Sequence, residues 1–299
     1  MPIEDFIIAV FCQVDDFLKK SNFCGRALRK RGFEPKLSDA EVLTMMIVGE
    51  MLGYDTDKGI WRYFRQHWRF LFQKIGSRTN WSRQASNLWM IAQKLHQELA
   101  CRLGARTNKL HIVDGFPMPI CVITRASRSR LFKGIASWSY CASKKEYYYG
   151  LHGHVLIDFE GVIAGIEVTT ANTSERETVL DLVENKIQGT LLGDMGYLGQ
   201  EYQNDLKAQT GIDLQAALRS NMQDDRSPKF VRVLKSTRRL VETVIGQLVD
   251  GFNIEKIWAR DLWHLTCRIG RKILAHTMGI FFNRILGRKS LALADLIEA

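Results

Sequence analysis

The chain has 299 residues, 46% hydrophobic and 25% charged, and its 42 Lys+Arg against 32 Asp+Glu give a formal charge of +10. That length supports one large domain or two modest ones with real cores, and the composition excludes a disordered or fibrous chain. The positive excess points to a polyanionic partner, whose phosphates release counterions when neutralised; solubility is the plainer account of the same excess.

The six cysteines, Cys12, Cys24, Cys101, Cys121, Cys141 and Cys267, have no metal-knuckle or redox spacing. Reduced and mostly buried thiols in a cytoplasmic protein are therefore expected. Residues 6–12 are apolar, but Glu4 and Asp5 stand where a signal peptide carries positive charge. Residues 273–286 are apolar yet too short to span a bilayer. No membrane association is expected.

Up to about Leu103 the periodicity is helical. Ser38-Asp39-Ala40-Glu41 has the form of a capping box, and the run 42–48 behind it is apolar nearly all round, which predicts a buried helix. A third helix is expected from about Lys58 to Lys74. Arg62, Arg65 and Arg69 fall on one of its faces, beside an apolar stripe of Trp61, Phe64, Trp68 and Leu71. These arginines are either contacts for a DNA backbone or the solvated rim of a packed helix.

From about Lys109 the texture becomes β-rich. Strands are expected at 110–113, 149–159 and 162–169, with Asp158-Phe159-Glu160-Gly161 as a hairpin turn. There follow a helix at 175–185, a short strand ending at Asp194, a helix at 200–209, a strand at 213–218, and helices at 236–250 and 262–286. This order predicts an α/β domain, a mixed sheet flanked by helices, behind an all-α N-terminal domain. The division falls between a helical DNA-binding part, 1–106, and a catalytic part, 107–299, that includes the C-terminal helices. Residues 125–145 have few apolar positions and read as an extended loop. There Lys144 and Lys145, among Trp138, Tyr140, Tyr147, Tyr148 and Tyr149, suit backbone contact and base stacking on DNA, or rings buried under snorkelling charges.

Two apolar runs end in aspartate and then a glycine-containing turn: Leu110-His111-Ile112-Val113-Asp114-Gly115 and Thr190-Leu191-Leu192-Gly193-Asp194-Met195-Gly196. Ligands of open α/β sheets collect at such strand ends. A third carboxylate, Glu242, flanks the apolar stripe Leu240, Val241, Val244, Ile245, Leu248 and Phe252, with Arg238 one turn earlier. Singly, each aspartate reads as a turn residue and Glu242 as half of a surface ion pair. Together they suit hard divalent cations, two of which, roughly 3.5–4 Å apart, clamp the oxygens of an in-line phosphodiester displacement. On so basic a chain the substrate expected is DNA. His152 and His154 share a strand face, but no third ligand completes a zinc site, and structural or DNA-contact roles are expected.

Asp114, Asp194 within Gly193-Asp194-Met195-Gly196-Tyr197-Leu198-Gly199, and Arg238-x-x-x-Glu242 resemble the DDE triad of bacterial insertion-sequence transposases. Tyr148-Tyr149-Gly150-Leu151-His152, Thr169-Thr170-Ala171-Asn172, Lys272-Ile273-Leu274-Ala275-His276 with Asn283, and the stretch from Ser38 to Leu43 extend the resemblance along most of the chain. The nine-eight-two family of insertion sequences is the most similar group. The resemblance implies an RNase H-like catalytic domain that hydrolyses DNA at the element's ends and joins the freed 3′-hydroxyl to target DNA. It further implies Asp114, Asp194 and Glu242 as catalytic metal ligands, Mg2+ with Mn2+ able to substitute, and Arg238 as a phosphate contact. Terminal inverted repeats and target DNA are the implied partners of a homodimer. Three positions depart from the pattern: Val249 and His152, where related chains often carry lysine, and Glu175, where they carry aspartate. The alternatives are another RNase H-like nuclease and an inactive, transposase-derived DNA-binding protein.

Overall fold

The computed structural model describes residues 1–21, 34–142, 144–183, 187–218 and 222–298. In chain order the elements are α1 (Ile3–Lys20), α2 (Asp39–Met51), α3 (Asp57–His67), α4 (Arg78–Asn87), α5 (Trp89–Arg102), β1 (Leu110–Pro119), β2 (Ser137–Cys141), β3 (Glu146–Asp158), β4 (Ile163–Thr170), α6 (Glu175–Val183), β5 (Thr190–Gly193), α7 (Gln200–Thr210), β6 (Asp213–Ala216), α8 (Pro228–Gly246) and α9 (Leu262–Ile285). They form two units, one of Met1–Leu99 with Asp250–Ala299, the other of Ala100–Val249. Among the described residues no helix is long and apolar enough to cross a membrane.

The first unit is all-α. Its capping box closes as the sequence predicts: the Ser38 amide donates to Glu41 Oε2 at 2.6 Å and the Glu41 amide to Ser38 Oγ at 3.1 Å. Behind it, Val42, Leu43, Met45, Met46, Ile47 and Val48 are fully buried. α1 lays Phe6, Val10 and Val14 on this helix, and α9 packs against α2 and α4. The C-terminal helix, which the sequence division puts in the second part of the chain, has its contacts in this unit. Buried charge is the physical reason. Glu50 on α2 accepts from Arg271 and, at 2.8 Å, from Lys272 Nζ, while Arg271 also reaches Asp57 Oδ1 at 2.6 Å and the Asp55 carbonyl at 2.8 Å. α3 stops at His67, well short of Lys74. Trp68 and Phe72 turn into the core, and Trp61 Nε1 holds the returning chain through the Gly76 carbonyl at 3.1 Å. Arg69 therefore lies beyond the helix and loses the shared face with Arg62.

The second unit is α/β, with a mixed sheet of the RNase H-like kind. β3 pairs antiparallel with β1 along one edge and, in succession along the other, with β2 and β4. β1 continues into parallel β5, and β5 into parallel β6, the helical crossovers α6 and α7 supplying the length that parallel pairing requires. The hairpin turn forms where expected, with the buried Asp158 carboxylate accepting the amides of Glu160 at 2.9 Å and Val162 at 2.8 Å. Val113, Leu156, Val179, Leu182, Leu191, Tyr197, Leu206 and Leu214 fill the core.

Three local expectations change. Residues 125–145 are not an extended loop: a 3-10 turn occupies Ile123–Arg128 and β2 follows, because Trp138 and Tyr140 zip onto Tyr149 and Tyr147 in register. α8 starts at Pro228, capped by Ser227 through the Phe230 amide at 3.3 Å, since proline is pre-set for a first helical position. Free cysteines are confirmed at Cys12, Cys101, Cys121, Cys141 and Cys267, but only Cys141 and Cys267 are buried. Cys24 and the expected helix end at Asn185 lie outside the described residues.

Candidate active site

β1 and β5 run parallel with Ile112 opposite Leu192; Asp114 and Asp194 follow two residues later on each, near enough for their charges to interact. The Asp114 carboxylate accepts the Gly115 amide at 2.8 Å. Asp194 caps the 3-10 turn Met195–Tyr197, its Oδ1 accepting the Gly196 amide at 2.6 Å. α8 packs against β1 and carries the third acid. Glu242 Oε1 accepts from Arg238 Nε at 3.0 Å, both side chains being about half exposed.

The charges interact. Burial, opposed by the Gly115 amide and Arg238 and assisted by Asp194 and Glu242, pushes Asp114 up to about 6. Arg238 is held above the usual arginine value, first by its bond to Glu242 and then, beyond the opposing cost of its partial burial, by the charges of Glu242, Asp194 and Asp114. Asp114, Asp194, Glu242 and Arg238, named from sequence, are thus brought together.

Two further side chains join them. Glu175, the first residue of α6, is raised to about 7 by burial and by the charges of Asp194 and Asp114. Its carboxylate occupies the space over Gly196 that a side chain there would fill. Tyr197 is fully buried, and its hydroxyl is held well above the ordinary value by burial, then by Glu175, Asp114 and Asp194. The signal for Glu175 was visible as the acid closing the Ala171–Glu175 turn, read there only as a departure from the family's pattern. Tyr197 had no signal beyond its place in the Asp194 motif.

The donor set is one of hard oxygens, which suits a divalent cation, and mutually repelling carboxylates held partly protonated are what such a cation relieves. Among the described residues, no three His, Cys, Asp or Glu side chains close around a single ion position; Glu242 is engaged by Arg238. The chemistry of the donors fits a metal, in an open arrangement of the acids.

The other candidates are distributed differently. His152 is largely buried, its ring against Gly115, its Nδ1 bonded to the Tyr148 hydroxyl at 2.9 Å. Burial lowers its proton affinity, so it backs Asp114 as a neutral packing residue. His154 is lowered to about 3 by burial and by His152. Lys144 and Lys145 are exposed where β2 turns into β3. Arg62, Arg65 and Arg69 are exposed in the all-α unit, Arg65 stacked 4.8 Å from the Trp61 ring centre.

Asp114 inside β1, Asp194 just past the end of the adjacent parallel β5, and a glutamate on a helix packed against β1, in a sheet of this topology, mark a class of nucleic-acid phosphoryl-transfer enzymes. The chain belongs to the transposase DDE domain family, whose model matches residues 104–262 and so spans Asp114, Glu175, Asp194, Arg238 and Glu242. No curated protein and no solved structure matches the chain.

Proposed function

We propose that the protein is an insertion-sequence DNA transposase, acting as a homodimer on DNA. In this reading Asp114, Asp194 and Glu242 hold Mg2+, with Mn2+ able to substitute, and the enzyme cleaves at terminal inverted repeats and joins the 3′-hydroxyl to target DNA. What supports the reading is the parallel pairing of β1 and β5 as far as Ile112 and Leu192, with Asp114 and Asp194 two residues further along their chains. When bound, the metal supplies polarisation of the phosphate and an activated oxygen nucleophile. The chain's own residues do the rest. Arg238 offers a guanidinium whose fork matches a scissile phosphate, and its present partner Glu242 is released for the metal when phosphate takes its place.

DNA contact is assigned to the exposed aromatics of β2 and β3, Trp138, Tyr140 and Tyr147. Trp138 pairs with Tyr149 at 5.4 Å and Tyr140 with Tyr147 at 5.0 Å, next to the cationic turn of Lys144 and Lys145; such faces stack bases while the cations follow the backbone. Arg62, Arg65 and Arg69 supply further phosphate contacts.

The deciding experiment is cleavage of a labelled duplex bearing the element's terminal repeat in Mg2+, Mn2+ or EDTA. Metal-dependent nicking at the repeat boundary is expected, reduced at least about a thousandfold in Asp194→Asn with binding retained. Undiminished cleavage by that variant removes Asp194 from the site. Cleavage of branched duplexes without strand transfer favours a different RNase H-like nuclease.

A further inference from the structure

We propose that Glu175 is a fourth metal-ligating carboxylate of this site, serving the cation on the Asp194 side; the inference rests on the metal reading above. Glu175 is placed by a latch. Arg176, the next residue, donates from Nε to the Gly196 carbonyl at 3.3 Å and from its guanidinium to the Leu198 carbonyl. The Tyr202 hydroxyl fixes the Arg176 carbonyl at 2.9 Å. The start of α6 and the Asp194 turn are thereby tied together, and the Glu175 carboxylate comes to rest over Gly196. A methyl group on Gly196 would lie 3.1 Å from Asp194 Oδ1 and collide with Glu175, so glycine at this position makes room for the acid.

Neither packing nor helix electrostatics accounts for that placement. An acid in a first helical turn favours the helix dipole, but Glu177 on the same turn does so from an exposed position. Glu175 is instead drawn in beside two other carboxylates, which is unfavourable unless a cation joins them. Among the described residues no Lys, Arg or His pairs with it. A second observation is independent of the acids: the Tyr197 hydroxyl is buried with no hydrogen-bond partner, its ring held against Gly193 on the strand that leads to Asp194. A buried hydroxyl left unsatisfied beneath an acidic cluster is the mark of a site completed by a ligand.

The test measures Mn2+ binding by calorimetry and thermal unfolding in EDTA, for the full chain and the variants Glu175→Gln, Glu177→Gln and Asp194→Asn. Glu175→Gln is expected to weaken Mn2+ binding roughly tenfold or more and, by relieving repulsion, to raise the unfolding midpoint in EDTA by roughly 2–4 °C. Glu177→Gln is expected to leave Mn2+ binding unchanged. If Glu175→Gln binds Mn2+ like the parent while Asp194→Asn does not, the assignment of Glu175 is overturned and the metal site stands. A lower midpoint in EDTA for Glu175→Gln, the sign of a lost helix-start contact, overturns it as well. Undiminished binding by Asp194→Asn overturns the metal reading itself, and the inference with it.

Discussion

Each unit of this protein contains carboxylates withdrawn at least partly from solvent, and the two sets are left in opposite electrical states. In the all-α unit, burial works to raise Asp57, but Arg271, the Ser82 hydroxyl and Arg268 overcome it and hold the acid at about 2. Glu50 is enclosed between Arg271 and Lys272, all three about 1% exposed at the side chain. In the α/β unit, burial and neighbouring acids drive Asp114 and Glu175 upward, and the cation at hand, Arg238, is engaged by Glu242. Buried charge that maintains a fold is neutralised where it stands. In the α/β unit the charge is left partly unmatched, as the proposed metal site requires, and the folded state bears that cost.

Breaking the matched set has the largest expected effect. Glu50→Ala leaves Lys272 buried without the carboxylate that pairs it, and Arg271 with Asp57 alone, and is expected to cost about 3–5 kcal/mol, measured by denaturant unfolding in EDTA.

The pH dependence of the two sets sharpens the contrast, because their signs differ. Asp57 has a lowered folded-state value, so its contribution is present above about pH 4 and is lost as pH falls toward 2. Asp114 has a raised value, so its contribution is complete below about pH 4 and is lost as pH rises through 6. In EDTA, Asp57→Asn is expected to be less stable than the parent at neutral pH, with the gap closing in acid. Asp114→Asn is expected to be more stable by about 1–3 kcal/mol above pH 6, since a shift of one unit corresponds to about 1.4 kcal/mol, with the gap closing below pH 4. Unfolding at a series of pH values reads both, and a gap of the same sign in the two variants dissolves the comparison. The smallest effect belongs to Arg238→Ala. This half-exposed pair is expected to change stability by less than about 1 kcal/mol, while DNA affinity falls and its salt dependence becomes shallower.

The candidate acids Asp114, Asp194 and Glu242 were legible because short-range rules suffice to find them. An apolar run ending in aspartate and glycine located the end of β5 at Asp194, whereas β1 runs on through Asp114 and Gly115 to Pro119 because its ladder with β3 continues; the apolar stripe of α8 shows Glu242 flanking a buried face. The Ser38 capping box and the Asp158 turn were legible for the same reason, since the bonds that close them span at most four residues. What escaped depends on distance along the chain. Arg271 and Lys272 read only as positions in the last helix, because nothing local reveals that Glu50 awaits them. Glu175 read as an acid beginning a helix, since only the fold brings it over Gly196. β2 was hidden by the charged residues around it, although Trp138 and Tyr140 already alternated as strand residues do.

The all-α unit is discontinuous in sequence, and this sets the order in which a nascent chain is completed. Glu50 leaves the ribosome long before its partners, which follow 221 and 222 residues later. Until then α2 presents a largely apolar surface with Glu50 uncompensated, and its core cannot close. The stretch Ala100–Val249 emerges in between as a single run, so the α/β unit has all its strands while the first helices still wait. Synthesis therefore exposes the N-terminal helices to chaperones and proteases for the whole time needed to make the interior of the chain.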